Sequence, residues 1–233
     1  MNKIIENNLW DVMCVDENKK AFIKEMINFV INNLKDAFGY CCRNKLSLRE
    51  YCPKERFGGS INQATVFASV RLAEMWENGC YESLRNLFGM REIDIENVKR
   101  WTTSDGDFII FNEIWELKTS QAKDSWTGAT HSSHKSRNYI LINFTLNCDL
   151  KLGLITPPEF IPQFSVYLVK FPENIEINEI WKGKPTNKNS FTTFRIRNDW
   201  IQQGYVRKLH GDLLVSPKNK YAKILHDKNP LIQ

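Results

Sequence analysis

A chain of 233 residues is long enough for one substantial domain, or for one domain with an appended recognition part. Its hydrophobic content of 42% and charged content of 25% are those of an ordinary globular protein. With no run of about 18 apolar residues, a transmembrane helix is excluded. The formal net charge of +5 and a pI near 8.8 make nucleic acid the leading class of acidic partner, although many metabolic enzymes share this balance.

The amino-terminal stretch MNKIIENNLWDVMC carries acids and no continuous apolar core, so it does not read as a signal peptide. The six cysteines form no Cys-x-x-Cys pair, which argues against a zinc site. Free thiols in a reducing cytoplasm are the expectation, with no membrane contact.

Residues 16–38 place Phe22, Ile23, Met26, Ile27, Val30, Leu34 and Phe38 at helical spacing behind Asp16 as N-cap. Residues 41–59 are an irregular basic stretch with Arg43, Lys45, Arg49, Lys54 and Arg56. Such a loop grips phosphates or simply keeps a surface solvated, and the residues do not choose between the two. A second helix is expected from Ser60 to about Asn78, stopped by Gly79, with a short helix over 81–90 after it. Ile93, Ile95 and Val98 then suit either a strand or a helix.

The most informative stretch is SDGDFIIFNEIWELK, from Ser104 to Lys118. Its two arms are rich in β-branched and aromatic residues, as paired strands are. A two-residue turn at Asn112-Glu113 sets Ile109 opposite Glu116 and Asp107 opposite Lys118. Strand side chains alternate, so Asp105, Asp107, Glu116 and Lys118 share one face, while Phe108, Ile110, Trp115 and Leu117 share the other. Opposed Cβ atoms lie about 5 Å apart and diagonal ones about 7–8 Å. Two carboxylates and an ammonium then converge, as a hard cation and a phosphate require. A merely solvated hairpin face is the plain alternative.

Asp107 followed by Glu116-Leu117-Lys118 resembles the PD-(D/E)xK motif of Mg²⁺-dependent nucleases, and the surroundings are most similar to a type II restriction endonuclease. Gly106 stands where the motif has proline. The resemblance implies an α/β fold with a mixed central sheet flanked by helices, a restriction-endonuclease-like core, and a β-rich carboxyl-terminal part. It implies Mg²⁺ held by Asp107, Glu116 and the Leu117 carbonyl, with Glu74 of the second helix or Asp105 as a further acid. Lys118 would position or deprotonate the attacking water and offset charge on the phosphorane-like transition state. The implied reaction is hydrolysis of double-stranded DNA at a short specific site, as in restriction-modification. A structure-specific repair or recombination nuclease and a non-catalytic DNA-binding protein are the rival readings. Cutting both strands of a two-fold site suits a homodimer.

Past Lys118 the chain is polar before Tyr139–Phe144, which reads as a buried strand. Ser120, Gln121, His131, Ser133, His134, Lys135, Arg137 and Asn138 offer hydroxyl, amide and basic groups suited to phosphates and base edges. His131 or His134 as a general base is the competing idea. Residues 165–171 and 175–181 read as strands, as does FTTFRIR, which sets Arg195 and Arg197 on one face as candidate groove readers. A helical turn over 199–203 ends at Gly204. One compact domain is expected: helices over about 16–78, the hairpin and sheet over about 100–171, and a DNA-contacting part over about 172–233. Neither G-x-x-x-x-G-K-[S/T] nor G-x-G-x-x-G occurs, which argues against a nucleotide-cofactor enzyme.

Overall fold

The computed structural model describes residues 8–44, 72–90, 98–100, 106–120, 126–129, 136–145, 161, 163–182 and 191–211. Helix α1 (Leu9–Val12) starts where the Asn8 side chain accepts from the Asp11 N–H at 2.8 Å. Helix α2 (Asp16–Asn44) runs past the expected end at Phe38. Its buried stripe is Phe22, Met26, Val30, Leu34 and Phe38, a spacing of four residues at every step.

Helix α3 (Ala73–Met90) corrects the expected stop. It passes straight through Gly79, so the end of the second helix and the short helix over 81–90 belong to one element. Gly79 is a place of close approach: a Cβ there would stand 3.1 Å from the Met26 carbonyl oxygen and 3.3 Å from both Phe29 Cδ1 and Val30 Cγ2. A mid-helix glycine costs about 1 kcal/mol against alanine. The buried stripe of Trp76, Cys80, Leu84 and Phe88 on α2 and the sheet outweighs that cost.

The strands form two sheets, and the class is α/β. The larger sheet contains β1 (Val98–Arg100), β2 (Phe108–Ile110), β3 (Glu113–Ser120), β5 (Asn138–Thr145), β6 (Gln163–Lys170) and β9 (Val206–His210), in that spatial order. All its neighbours are antiparallel except β3 and β5, which makes it a mixed sheet. The smaller sheet has the order β4 (Trp126–Ala129), β8 (Phe191–Phe194), β7 (Trp181–Lys182).

Alternation along the strands separates two cores. Phe108, Ile110, Trp115, Leu117, Ile140, Ile142, Phe144, Val166 and Leu168 pack with α1, α2 and α3 on one face. Tyr139, Leu141, Tyr167 and Val169 turn to the other face, where Trp126, Phe171, Ile180, Ile196 and Trp200 meet them. The Trp126 indole N–H donates to the Ile142 carbonyl at 3.0 Å and fastens β4 over β5. Both β5 and β6 are therefore buried on two sides and read as near-continuous apolar runs.

Two strand assignments change. Residues 175–181 are not a strand: helix α4 (Ile177–Ile180) precedes the two-residue β7. Ile175 and Ile180 both join the second core, and an odd separation would put them on opposite faces of a strand. FTTFRIR is a strand only to Phe194, and Arg197 N-caps helix α5 (Asn198–Gln202). Gly204 follows α5 at φ +76°, as the glycine stop requires. Strand β9 was not expected at all. It closes the far edge of the large sheet, where Arg207 donates to the Trp10 carbonyl and lies 4.2 Å over the Trp10 ring. Among the described residues, no helix is long and apolar enough to cross a membrane.

Because Gly79 has no room for branching, Gly79→Val is expected to destabilise the protein by about 1–3 kcal/mol. Chemical denaturation of the variant and its parent measures this.

Candidate functional site

The hairpin turn lies one residue earlier than its sequence suggests. Phe108 pairs with Trp115, Ile109 with Ile114 and Ile110 with Glu113, so the turn is Phe111-Asn112 and not Asn112-Glu113. Both turn residues have positive φ, +50° and +64°, as a type I′ hairpin demands. Asn112 tolerates this conformation, whereas Phe111 adopts it at a cost. The Phe111 ring is held edge-on by Phe88 of α3, with centroids 4.9 Å apart.

The changed register places Asp107 opposite Glu116, where Lys118 was expected to face it. The slip is an even one, so Asp107, Glu116 and Lys118 keep the same parity. The regular ladder of β2 begins only at Phe108. Before it, the Asp107 N–H donates to the Trp115 carbonyl at 2.9 Å, and Asp107 Oδ2 accepts from the Leu117 N–H at 2.7 Å. The carboxylate thus takes the place of a missing strand. In a strand the N–H and C=O of one residue point the same way, so the Leu117 carbonyl turns to this edge as well.

Gly106 is what lets Asp107 approach β3 so closely. A Cβ at Gly106 would stand 2.5 Å from Ile114 Cγ2 and 3.0 Å from the Trp115 carbonyl oxygen. The backbone must press against β3 for Asp107 to reach Leu117, and only glycine leaves room.

Glu116 is 9% exposed and forms an ion pair with Lys118 on the face away from the helices. Asp107 is held far above the usual carboxylate range, at about 7. Burial is the largest cause, followed by the charges of Glu116 and Glu77, while Lys118 and the Leu117 N–H act in the opposite direction. Asp107 therefore lies in the field of two other acids and one lysine.

Glu77 of α3 acts on Asp107, and the expected Glu74 lies in the first turn of the same helix, half-buried. The sequence contained the signal. Glu77 lies seven and eleven residues before Leu84 and Phe88, nearly in line with them on a helix, and both are fully buried. Ending the helix at Gly79 removed those two residues from the phase.

Other candidates are placed less favourably. Ser120 ends β3 with the parity of Glu116 and Lys118. Arg137 donates to the carbonyls of Pro172, at 3.2 Å, and Ile175. Asn138 donates to the Ile114 carbonyl at 3.0 Å. Arg197 bonds Asp199 at 2.8 Å and stacks 4.1 Å over Trp200. Arg195 is exposed after β8, and Arg43 is exposed in the last turn of α2. Asp105, Gln121, His131, Ser133, His134, Lys135 and Arg56 lie outside the described residues.

Among the described residues, no three His, Cys, Asp or Glu side chains are grouped so as to hold a metal ion. A cation at this edge would instead meet two side-chain carboxylates, Asp107 and Glu116, and the Leu117 carbonyl. Comparison of the chain with protein-family models, with curated proteins and with solved structures found no match.

The state of Asp107 makes stability depend on pH. In the unfolded chain the carboxyl loses its proton near 3.8, and in the native protein near 7. Between these values the native state binds more protons, so raising the pH favours unfolding by up to about 1.4 kcal/mol per pH unit. The destabilisation begins near pH 4 and is complete above about pH 7. Asp107→Asn is expected to remove that slope in metal-free protein and to raise the melting temperature at pH 8 above the parent's. Thermal melts of both across pH 4–8 measure the difference.

Proposed function

We propose that this protein is a Mg²⁺-dependent endonuclease that hydrolyses double-stranded DNA at a short specific sequence, built on a restriction-endonuclease-like core. The observation that carries the reading is the edge of β3, where Asp107, Glu116 and the Leu117 carbonyl come together beside Lys118. A carboxyl raised to about 7 by burial and neighbouring acids belongs to a cluster short of positive charge. Oxygen donors with excess negative charge fit a hard divalent cation that keeps part of its water shell. The architecture agrees: a mixed sheet carries the acids on a hairpin, a parallel strand follows, and helices cover the other face.

In this reading Asp107, Glu116 and the Leu117 carbonyl hold the cation. A divalent cation there supplies positive charge for the phosphate and lowers the pKa of a water. The chain's own residues do the rest. Lys118, restrained by Glu116, meets a non-bridging phosphate oxygen and offsets the charge that grows on it during in-line attack. Glu77 adds negative field from α3 and favours cation capture. The second core, packed against β5 and β6, keeps that side of the site dry and sharpens these interactions. Ser120, Gln121, His131, Ser133, His134, Lys135, Arg195, Arg43 and Arg56 are the proposed DNA contacts. A two-fold homodimer in the cytoplasm cuts both strands, one in each protomer.

Glu116→Gln is expected to lower cleavage by orders of magnitude while leaving specific DNA binding intact. Gel assays of plasmid cleavage with Mg²⁺, paired with binding isotherms, measure both. Near-normal Mg²⁺-dependent cutting by the variant would refute the assignment. With the parent, discrete fragments indicate a restriction enzyme, a smear a nuclease without sequence preference, and intact plasmid a binding protein.

A further inference from the structure

The amino-terminal end of β5 is tied to β3 by side chains. Asn138 Nδ2 donates to the Ile114 carbonyl at 3.0 Å, and the Ser136 hydroxyl, 3.2 Å from the same oxygen, shares its one proton between it and a second carbonyl. Ser136 is 4% exposed, and the Tyr139 hydroxyl donates to its carbonyl at 2.6 Å. The Ser136 hydroxyl also reaches the Asn138 carbonyl at 2.8 Å. Alongside, Lys170 of β6 pairs with Glu113, the first residue of β3. Arg137 anchors the same corner through Pro172 and Ile175.

Strand alternation shows what this latch holds. The Trp115 carbonyl and the Leu117 N–H turn to the β2 edge, so the peptide groups of Ile114 and Glu116 turn to β5. Regular pairing with β5 starts at Trp115 opposite Asn138. The Ile114 carbonyl is thus the rung just before the ladder, and Glu116 supplies the next rung on that side. A parallel pair has no tight turn to fix its register, and here residues 121–137 separate the two strands. A two-residue slip would move β5 by about 6.6 Å along β3. Tyr139 would then leave Glu116, and Leu141 would leave Lys118, their present partners.

We propose that Asn138 and Ser136 are positioning residues for the Glu116–Lys118 pair, and that neither contacts DNA. They complete the first rung between β3 and β5 and so fix the buried setting in which Glu116 and Lys118 work. The kinetic consequence rests on the nuclease reading, whereas the structural one does not.

Asn138→Asp keeps the shape and removes the donor, and Ser136→Ala removes the longer bond to Ile114 together with the hydroxyl's bonds to the Asn138 backbone. Two measurements apply to each: kcat and KM for Mg²⁺-dependent cleavage, and amide hydrogen exchange across the large sheet. For Asn138→Asp, kcat is expected to fall about tenfold or more with KM for DNA unchanged, as loss of one half-buried hydrogen bond allows. Exchange at the Glu116 amide should quicken about tenfold while that at Leu168 of β6 stays as in the parent. Ser136→Ala should show the same pattern to a smaller degree. A raised KM with unchanged kcat would make Asn138 a DNA contact and overturn the proposal. Equal quickening at Glu116 and Leu168 would also overturn it, by showing a loss of general stability. If the parent cuts no DNA, the nuclease reading fails, and the exchange pattern alone decides whether the latch holds Glu116.

Discussion

Strand β3 is obliged to serve two environments with alternate side chains, and most of the molecule follows from that obligation. Trp115 and Leu117 are driven into the core against α2 and α3. Pairing with β5 as well then commits Glu116 and Lys118 to the opposite face, whatever else happens. The neighbours adapt to this strand. Gly106 gives up its side chain to lie against Ile114 and Trp115, and Phe111 accepts a left-handed conformation so that the hairpin closes where it does. The Asp107 carboxylate takes over a backbone hydrogen bond that β2 is too short to make.

The polar groups gathered at that edge do not represent an optimum for stability. Burial and two neighbouring acids disfavour the charge of Asp107, and the one lysine that favours it is already paired with Glu116. A chain selected for stability alone would place apolar residues or a balanced pair there. In the proposed reading, binding a divalent cation provides the compensation. The rest of the sheet supplies the rigidity that keeps them together: β5 and β6 are buried on both faces, and Trp126 is fastened to the β5 backbone.

The acids and lysine were legible in the sequence because parity survives an error of register. The turn was misplaced by one residue, which changes each partner by two, and an even change leaves every side chain on its face. The helices were less legible. Gly79 looks like a stop when only local propensity is considered, and its true role depends on Met26, Phe29 and Val30, far away in sequence. That single misreading also concealed Glu77. The strand expected over 175–181 failed for a related reason. Short apolar segments fit either period, and only the second core decides that Ile175 and Ile180 face the same way. Strand β9 was hidden because its apolar positions are interrupted by Arg207, Lys208 and His210. The first of these is occupied in stacking on Trp10.

That last contact joins the two ends of the described chain and has a consequence for synthesis. Leu209 packs against the core that α1 and α2 began, and β9 also contacts α2. The helices are made before the sheet they must lie on, and its edge strand β9 is made after all its other strands. At about 5–20 residues per second, the apolar stripe of α2 waits on the order of ten seconds for β9. During that interval Phe22, Met26, Val30 and Leu34 have no finished sheet to cover them. Folding dominated by such distant pairings is slow, and its intermediates are prone to aggregate. Translation that stops short of residue 206 therefore yields chains that retain the proposed catalytic residues but lack the strand that closes the sheet around them.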